Sequence, residues 1–470
     1  MVSAGQGTVK LDMDLKGKGI KGIGSAAWCR ILAAVITMIS AKRIAGSVLH
    51  SWQDIPGWEA YWIAQAIAGG NGYSFPSTNR WLFDLVADGS FYPTAWVDPL
   101  YTYILAGMIC LFGDYHQLAA GVFNLFLLFM VFAVTYRLGE RLVSSPAGVL
   151  AVLLLALGPF SSYALNMNNT MLAAFFIVLS SLFLMRYLDK PGYIRASLLG
   201  LVLGLTVLAS PSAQLFVPVI VASIIFWGWK RSNLAVSQAT LVLVMAASLV
   251  FPWAARNYSV FDEIVPVRNG AGQIAFIGVV ATAGTVAPDR LMSDLKPEWG
   301  AETPRAAIFQ TLQREKRQAL ERYQAGYVKE VGPPGYSGMN EAQRDKWFLQ
   351  EAKLFLINNP VLSMKLAIAK MEVFVRSMGV PGVCTFLLAM FAGLLALKNA
   401  VAMTLVLMVG SYAGPFLLVV CYFGRYRAPI EPLVVVLAAF TICWASRYLF
   451  SSWLTLEEAP DRCVRKESSV

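Results

Sequence analysis

Carboxylates and tryptophans crowd one stretch of the chain. Asp54, Glu59, Asp84, Asp88 and Asp98 lie beside Trp52, Trp58, Trp62, Trp81 and Trp96, in a sequence otherwise made mostly of apolar runs. Aromatic rings with polar tips favour a membrane–water boundary. A carboxylate held there loses water, which disfavours its charged form and raises its proton affinity. Such a group can act as a general base towards a hydroxyl or amine. Glu59, within GWEAYWIAQAIAGG, is the best placed, and Asp54 and Asp98 are the further catalytic candidates. Glu59 also suits a plain helix N-terminal charge, and Asp98 in WVDPLY a helix cap. Tyr61 and Tyr101, close in sequence to these acids, are counted as substrate-binding candidates.

Basic residues supply the complementary chemistry. GRYRAPIEP carries Arg425 and Arg427 two apart at a helix boundary, a spacing that suits a phosphate clamp as well as an anchor for lipid headgroups. A phosphate that leaves gathers negative charge, and fixed cations lower that barrier. Arg256 in PWAARNY is a weaker candidate of the same kind, and Arg268 in VPVRNG reads better as a solvated loop charge. In SSYALNMNNT, Asn169 with Asn166 and Asn168 can reach a sugar, although polarity at a helix turn explains them equally well.

The elements that must position these residues are membrane helices. The chain of 470 residues is 57% hydrophobic and 14% charged, with mean hydropathy +0.58. That balance with long apolar runs predicts an all-α polytopic membrane protein and excludes a β-barrel, whose segments are short and alternating. Spans are expected at 28–48, 117–136, 147–160, 172–184, 196–208, 215–229, 235–253, 383–397, 400–422 and 432–448, about ten in all. Lys42 and Arg43 interrupt the first, at roughly 3 kcal/mol each if central and less where they snorkel. Residues 1–24 read as a disordered basic cytoplasmic terminus and 25–254 as an amino-terminal membrane module that includes the first outer loop, 49–116. Within that loop, 58–68 suits a helix in the membrane plane and 99–113 a re-entrant or interfacial helix. Residues 255–378 read as a small helical extracytoplasmic subdomain with helices at 302–327 and 341–356 and an interfacial helix at 361–378. Membrane helices at 379–450 and a cytoplasmic tail at 451–470 complete the chain.

With the amino terminus inside, the inner turns carry Lys or Arg and the short outer turns carry none, which places the acidic loop outside. Arg425 and Arg427 then fall on the outer face, against that bias. The net charge of +10 follows from the same bias and needs no nucleic-acid partner. The six cysteines lack ligand spacing and two histidines cannot found a histidine metal site. No cleavage site follows the first apolar run, and no GxxxxGK[ST], HExxH or GxSxG pattern occurs. The sequons at Asn168 and Asn257 sit at membrane-hugging turns and read as accidental.

GWEAYWIAQAIAGGNGYSFP followed by PTAWVDPLYTYILAGMICLFG resembles the first extracytoplasmic loop of GT-C membrane glycosyltransferases. PWAARNYSVFDEIVPVRNGAG and GRYRAPIEP are similar to further stretches of the bacterial protein O-mannosyltransferase and lipid A aminoarabinose transferase types. The resemblance implies transfer of a sugar from a polyprenyl-phosphate donor to a protein, lipid or glycan acceptor on the outer face of a bacterial inner membrane. It implies that Glu59 is the base or its metal-linked partner, and that Arg425 and Arg427 lie near the lipid phosphate. No cofactor is certain, and a divalent metal stays open. Relatives often pair two acids where this chain has Trp58 before Glu59, carry an acid where it has Asn168 and Asn169, and have another residue, often proline, at Asp98. A catalytically inactive relative and, behind it, a transporter are the competing readings.

Overall fold

A computed structural model describes residues 23–54, 59–76, 90–228, 234–281, 331–361, 379–419 and 424–457, with a few single positions at 328 and 363–368. The expected helix at 302–327 and the first-loop acids Asp84 and Asp88 lie outside the described residues, as does most of the 361–378 segment.

The fold is helical. Its first half comprises α1 (Ile23–His50), α2 (Glu59–Ala68), a hairpin of β1 (Ser74–Pro76) and β2 (Phe91–Pro93), α3 (Pro99–Phe112), α4 (His116–Leu142) and α5 (Ser145–Leu157). Then follow α6 (Thr170–Asp189), α7 (Tyr193–Ala209), α8 (Phe216–Gly228), α9 (Ala235–Phe261) and α10 (Ala271–Phe276). The last part holds α11 (Glu341–Asn358), α12 (Gly379–Leu395), α13 (Ala400–Val419) and α14 (Glu431–Glu457). Six helical runs among the described residues are long and apolar enough to cross a membrane, seven if the bent pair Ser145–Leu157 and Pro159–Leu165 is one span. The protein is therefore integral to a membrane. Tyr193–Ala209, Gly382–Leu395 and Ala400–Phe416 are apolar but shorter.

Burial separates centre from rim. In the apolar windows of α6 and of the run that holds α14, 72% of residues are buried, against 22% for α1 and 28% for α8 and α9, which turn apolar side chains outward. Small residues set the close crossings, as expected where backbone approach replaces a hydrophobic driving force. A Cβ on Gly200 of α7 would lie 2.6 Å from the Val242 carbonyl of α9, and one on Gly148 of α5 would lie 2.6 Å from the Tyr136 carbonyl of α4.

Two local features position the site. The first is a fold-back. Pro99 to Leu142 is one apolar run of 44 residues, about twice what a bilayer crossing needs. Were it straight, Tyr101 and Asn124 would stand about 35 Å apart at 1.5 Å per residue. Instead the Tyr101 hydroxyl donates to Asn124 Oδ1 at 3.4 Å, so α3 returns along the upper turns of α4. The chain reverses at Gly113, whose φ of 51° and ψ of −123° suit only glycine.

The second is a small cluster where α10 and the turn after it pack on α11 through Phe276, Val280 and Phe348, with Trp347 and Tyr336 beside them. Asn340 starts α11 with a capping box: its side chain accepts from Gln343 N at 2.9 Å, and Gln343 Oε1 accepts from Asn340 N at 3.1 Å.

Candidate active site

Five segments meet at one end of the bundle. The hairpin is braced first. Arg256 on α9 donates from Nη1 to the Thr94 carbonyl at 2.8 Å and to Asn257 Oδ1 at 3.0 Å, and from Nη2 to the Tyr73 carbonyl at 2.9 Å. The rings of Tyr73 and Trp253 flank its guanidinium at 5.5 and 5.0 Å. Arg256, a substrate-binding candidate from sequence, is a strut between hairpin and bundle in this structure. Asn257 and Trp253 then hold the loop after α9, donating to the Val265 and Val267 carbonyls. Asn269 N donates to the Ala95 carbonyl at 2.9 Å, which lays that loop beside the residues leading into α3.

Asp98 sits where these segments converge. Only 1% exposed, it precedes Pro99, the first residue of α3. Asn169, at the start of α6, donates from Nδ2 to Asp98 Oδ2 and to the Ala209 carbonyl at the end of α7 at 3.0 Å. Arg268, from the loop after α9, places Nη1 3.7 Å from Asp98 Oδ1. Tyr73 donates to the Val97 carbonyl at 2.8 Å and to Thr102 Oγ1 at 3.3 Å. Burial pushes the Tyr73 hydroxyl far above its ordinary pKa, so it stays protonated and a donor. Ser210, after α7, is 3.4 Å from the Tyr412 hydroxyl of α13, which brings in the carboxyl-terminal helices.

A carboxylate latch closes the back of the site. Glu341, the first residue of α11, accepts from Thr94 Oγ1 at 2.6 Å, Ala95 N at 3.0 Å and Asn269 Nδ2 at 2.9 Å. One turn on, Asp345 accepts from Gln273 N at 2.9 Å at the start of α10. Desolvation pushes both carboxyls above the usual range, partly offset by the donors that surround them. Arg268 is among the groups that pull Asp345 back down.

The remaining candidates lie elsewhere. Tyr61 donates its hydroxyl to His116 Nε2 at 2.8 Å, because His116 Nδ1 lies 2.6 Å from the Gly113 carbonyl and must carry the ring proton. This contact fixes the start of α2 to the end of α3, while Tyr73 fixes the chain beyond α2 to the start of α3. The two helices therefore run antiparallel, and Glu59 and Asp98 lie near opposite ends of the pair. Glu59, half-buried as the first residue of α2, has no hydrogen-bond or ion-pair partner among the described residues. Asp54 ends a 3-10 turn, Trp52–Asp54, and its side chain lies outside the described residues, as does that of Arg425. Arg427 is buried and donates from Nε to Glu431 Oε1 at 2.7 Å. Tyr101 is fully buried against Asn124. Asn168 caps Thr170 N at 3.0 Å. Among the described residues, no three His, Cys, Asp or Glu side chains gather as metal ligands would.

Sequence reasoning set Arg268 aside and overlooked Glu341 and Asp345. Their partners are 70 to 250 residues away in sequence, and only the unusual Asp98 before Pro99 hinted that a cation was needed nearby.

Residues 95–255, about a third of the chain, match the model of the dolichyl-phosphate-mannose-protein mannosyltransferase family. No curated protein sequence matches the chain. A crystal structure of the Archaeoglobus fulgidus oligosaccharyltransferase, complexed with zinc and sulfate, aligns with a TM-score of 0.50 at 14% identity, over 90% of this chain and 51% of that one. The structure of the oligosaccharyltransferase AglB from the same archaeon, in complex with an inhibitory peptide and a dolichol-phosphate, also gives 0.50 at 14% identity, over 94% and 53%. This chain spans about half the length of those structures, and at such identity the likeness is one of fold. ArnT from Cupriavidus metallidurans, bound to undecaprenyl phosphate, aligns at a TM-score of 0.34, too low to add to the argument. The chain thus carries a segment, residues 95–255, similar to the dolichyl-phosphate-mannose-protein mannosyltransferase family, and over nine-tenths of its length it shares the fold of the archaeal oligosaccharyltransferase structures.

Proposed function

We propose that the chain transfers a sugar from a polyprenyl-phosphate donor to a protein, lipid or glycan acceptor, at the bundle end where Asp98, Asn169 and Arg268 gather. That convergence is the observation on which the reading rests: a buried carboxylate and a partly covered guanidinium, 170 residues apart in sequence, meet over the mouths of apolar helices. The dolichol-phosphate in the AglB structure supports a polyprenyl-phosphate donor. The lysine and arginine distribution supports an extracytoplasmic site with both termini inside, in a bacterial inner membrane. Counting three of the four shorter apolar helices, Tyr193–Ala209, Gly382–Leu395 and Ala400–Phe416, as spans brings the total to about ten.

The chemistry is a single displacement. A carboxylate takes the proton from the acceptor hydroxyl or amine as it attacks the anomeric carbon. The bond from that carbon to the phosphate oxygen breaks, the polyprenyl phosphate leaves with the electron pair, and configuration inverts. Two carboxylates are the candidate bases: Asp98 at this site, and Glu59, which has no partner among the described residues but lies near the opposite end of α2 and α3. Arg268 and Asn169 hold the Asp98 side chain in place, which suits it to orienting its neighbours. Arg425, whose backbone lies in the one-turn helix Gly424–Arg427, remains the candidate contact for the leaving phosphate. The described residues do not supply a metal-ligand set.

The test follows release of polyprenyl phosphate from a radiolabelled donor by the purified chain in liposomes. Loss of release with donor binding intact in Glu59→Gln assigns the base to Glu59. The same result in Asp98→Asn alone moves the base to Asp98. Donor binding by wild type without turnover on any acceptor would instead support an inactive relative, a reading favoured by the lack of a second acid beside Glu59.

A further inference from the structure

Three arginines at this end of the bundle have described side chains, and they are not equally engaged. Arg256 is spent on two carbonyls, Asn257 and two aromatic rings. Arg427 is 6% exposed and bonded to Glu431. Arg268 differs. Its Nε donates to its neighbour's Asn269 carbonyl at 3.3 Å. Its Nη1 stands 3.7 Å from Asp98 Oδ1, close enough for an ion pair and too far for a hydrogen bond. Neither terminal nitrogen has a hydrogen-bond acceptor among the described residues, and the side chain is only 24% exposed. A guanidinium so far removed from water with terminal N–H groups unmet favours a ligand that accepts from them.

Across Asp98 stands the complementary group. Asn169 spends its Nδ2 on Asp98 and Ala209, which leaves Oδ1 without a donor among the described residues. The side chain is part-exposed. Donors on Arg268 and an acceptor on Asn169 therefore flank one carboxylate that holds both.

This arrangement discriminates between the two halves of a sugar-phosphate. A phosphate on Arg268 would also face the Asp98 carboxylate on the same guanidinium, with Asp345 close behind. Repulsion from those two acids would offset most of the attraction to one cation. A sugar hydroxyl carries no net charge and both gives and takes a hydrogen bond. It meets Arg268 as an acceptor and Asn169 as a donor without that penalty.

We propose that Arg268 and Asn169 form the sugar subsite, binding neighbouring hydroxyls of the donor's sugar, with Asp98 as the positioning residue that cancels the charge of Arg268 and so excludes the phosphate. The proposal rests on the donor reading given above and assigns the residues that select the sugar.

The test measures dissociation constants of the full chain in detergent for a polyprenyl-phosphate sugar and for the same polyprenyl phosphate without sugar. Wild type should bind the sugar-bearing lipid more tightly. Arg268→Gln should weaken that lipid roughly tenfold or more, as expected for lost charge-assisted hydrogen bonds, and leave the bare lipid unchanged. Asp98→Asn, which uncovers the charge of Arg268, should tighten the bare lipid and shrink the preference. Equal weakening of both lipids by Arg268→Gln would overturn the proposal by placing Arg268 on the phosphate. No effect on either would overturn it by making Arg268 structural. Wild type that binds both lipids alike would refute the sugar subsite and leave the transferase reading standing. Wild type that binds neither would refute both.

Discussion

Replacing Glu341 by alanine removes the carboxylate that ties α11 to the start of the site. Three donors lose their acceptor at once: the Thr94 hydroxyl, Ala95 N and Asn269 Nδ2, at 2.6, 3.0 and 2.9 Å. Thr94, Ala95 and Asn269 are buried, so water cannot readily replace the lost partner. A buried donor left unmet costs about 1–3 kcal/mol, and since these share one acceptor the sum is set at about 3–5 kcal/mol. Glu341→Gln keeps Oε1 for Ala95 and Asn269 and turns its NH2 towards the Thr94 oxygen, so about 1 kcal/mol is expected. Amide hydrogen exchange over 90–98 and 341–358 reads this directly as local opening. A loss of 3 kcal/mol should speed exchange in both segments by more than about a hundredfold in Glu341→Ala. Exchange within threefold of wild type in both segments would refute the latch. The sign of the pH effect is fixed by burial, which raises the folded-state pKa of Glu341. The folded form then holds the proton more tightly than the unfolded form. The latch is strongest below the unfolded value of about 4.3 and weakens as pH rises through the higher folded value. Glu341→Gln should remove that dependence.

Three further outcomes are expected. Gly272→Ala would put a Cβ 1.9 Å from the Asp345 carbonyl oxygen, so α10 should separate from α11, read as faster limited proteolysis between residues 262 and 340. Gly200→Ala would put a Cβ 2.6 Å from the Val242 carbonyl, and should lower the melting temperature in detergent through a loss of about 1–3 kcal/mol at the crossing of α7 and α9. Arg256→Lys keeps the charge and loses the fork that spans the Tyr73 and Thr94 carbonyls. It should destabilise the hairpin by about 2 kcal/mol, seen as exchange confined to 73–76 and 91–95.

The membrane helices were legible because long apolar runs have few other uses. The importance of the stretch around Asp98 was legible as well, since carboxylates in such a sequence need a reason. Pairing was harder. GRYRAPIE places Arg427 and Glu431 four apart, the spacing at which helical side chains meet, and the structure joins them. By contrast, nothing local connects Asp98 with Arg268 or Glu341 with Thr94. Those contacts depend on how α9 and α11 return to the first loop, which is tertiary information. The separation of Glu59 from Asp98 was hidden for the same reason: it follows from the antiparallel course of α2 and α3, fixed by Tyr61 on His116 and Tyr73 on Val97.

The reversal at Gly113 also bears on how the chain is threaded into its membrane. A translocation machinery that meets 44 apolar residues from Pro99 to Leu142 has enough greasy length for two crossings. If α3 crossed, α4 would enter from the opposite side, and every later loop would exchange compartments. The contact of Tyr101 with Asn124 lays α3 back along the first turns of α4, so the two form a hairpin and not one straight helix. The direction in which α4 leaves that hairpin thus turns on one residue able to hold a φ of 51°.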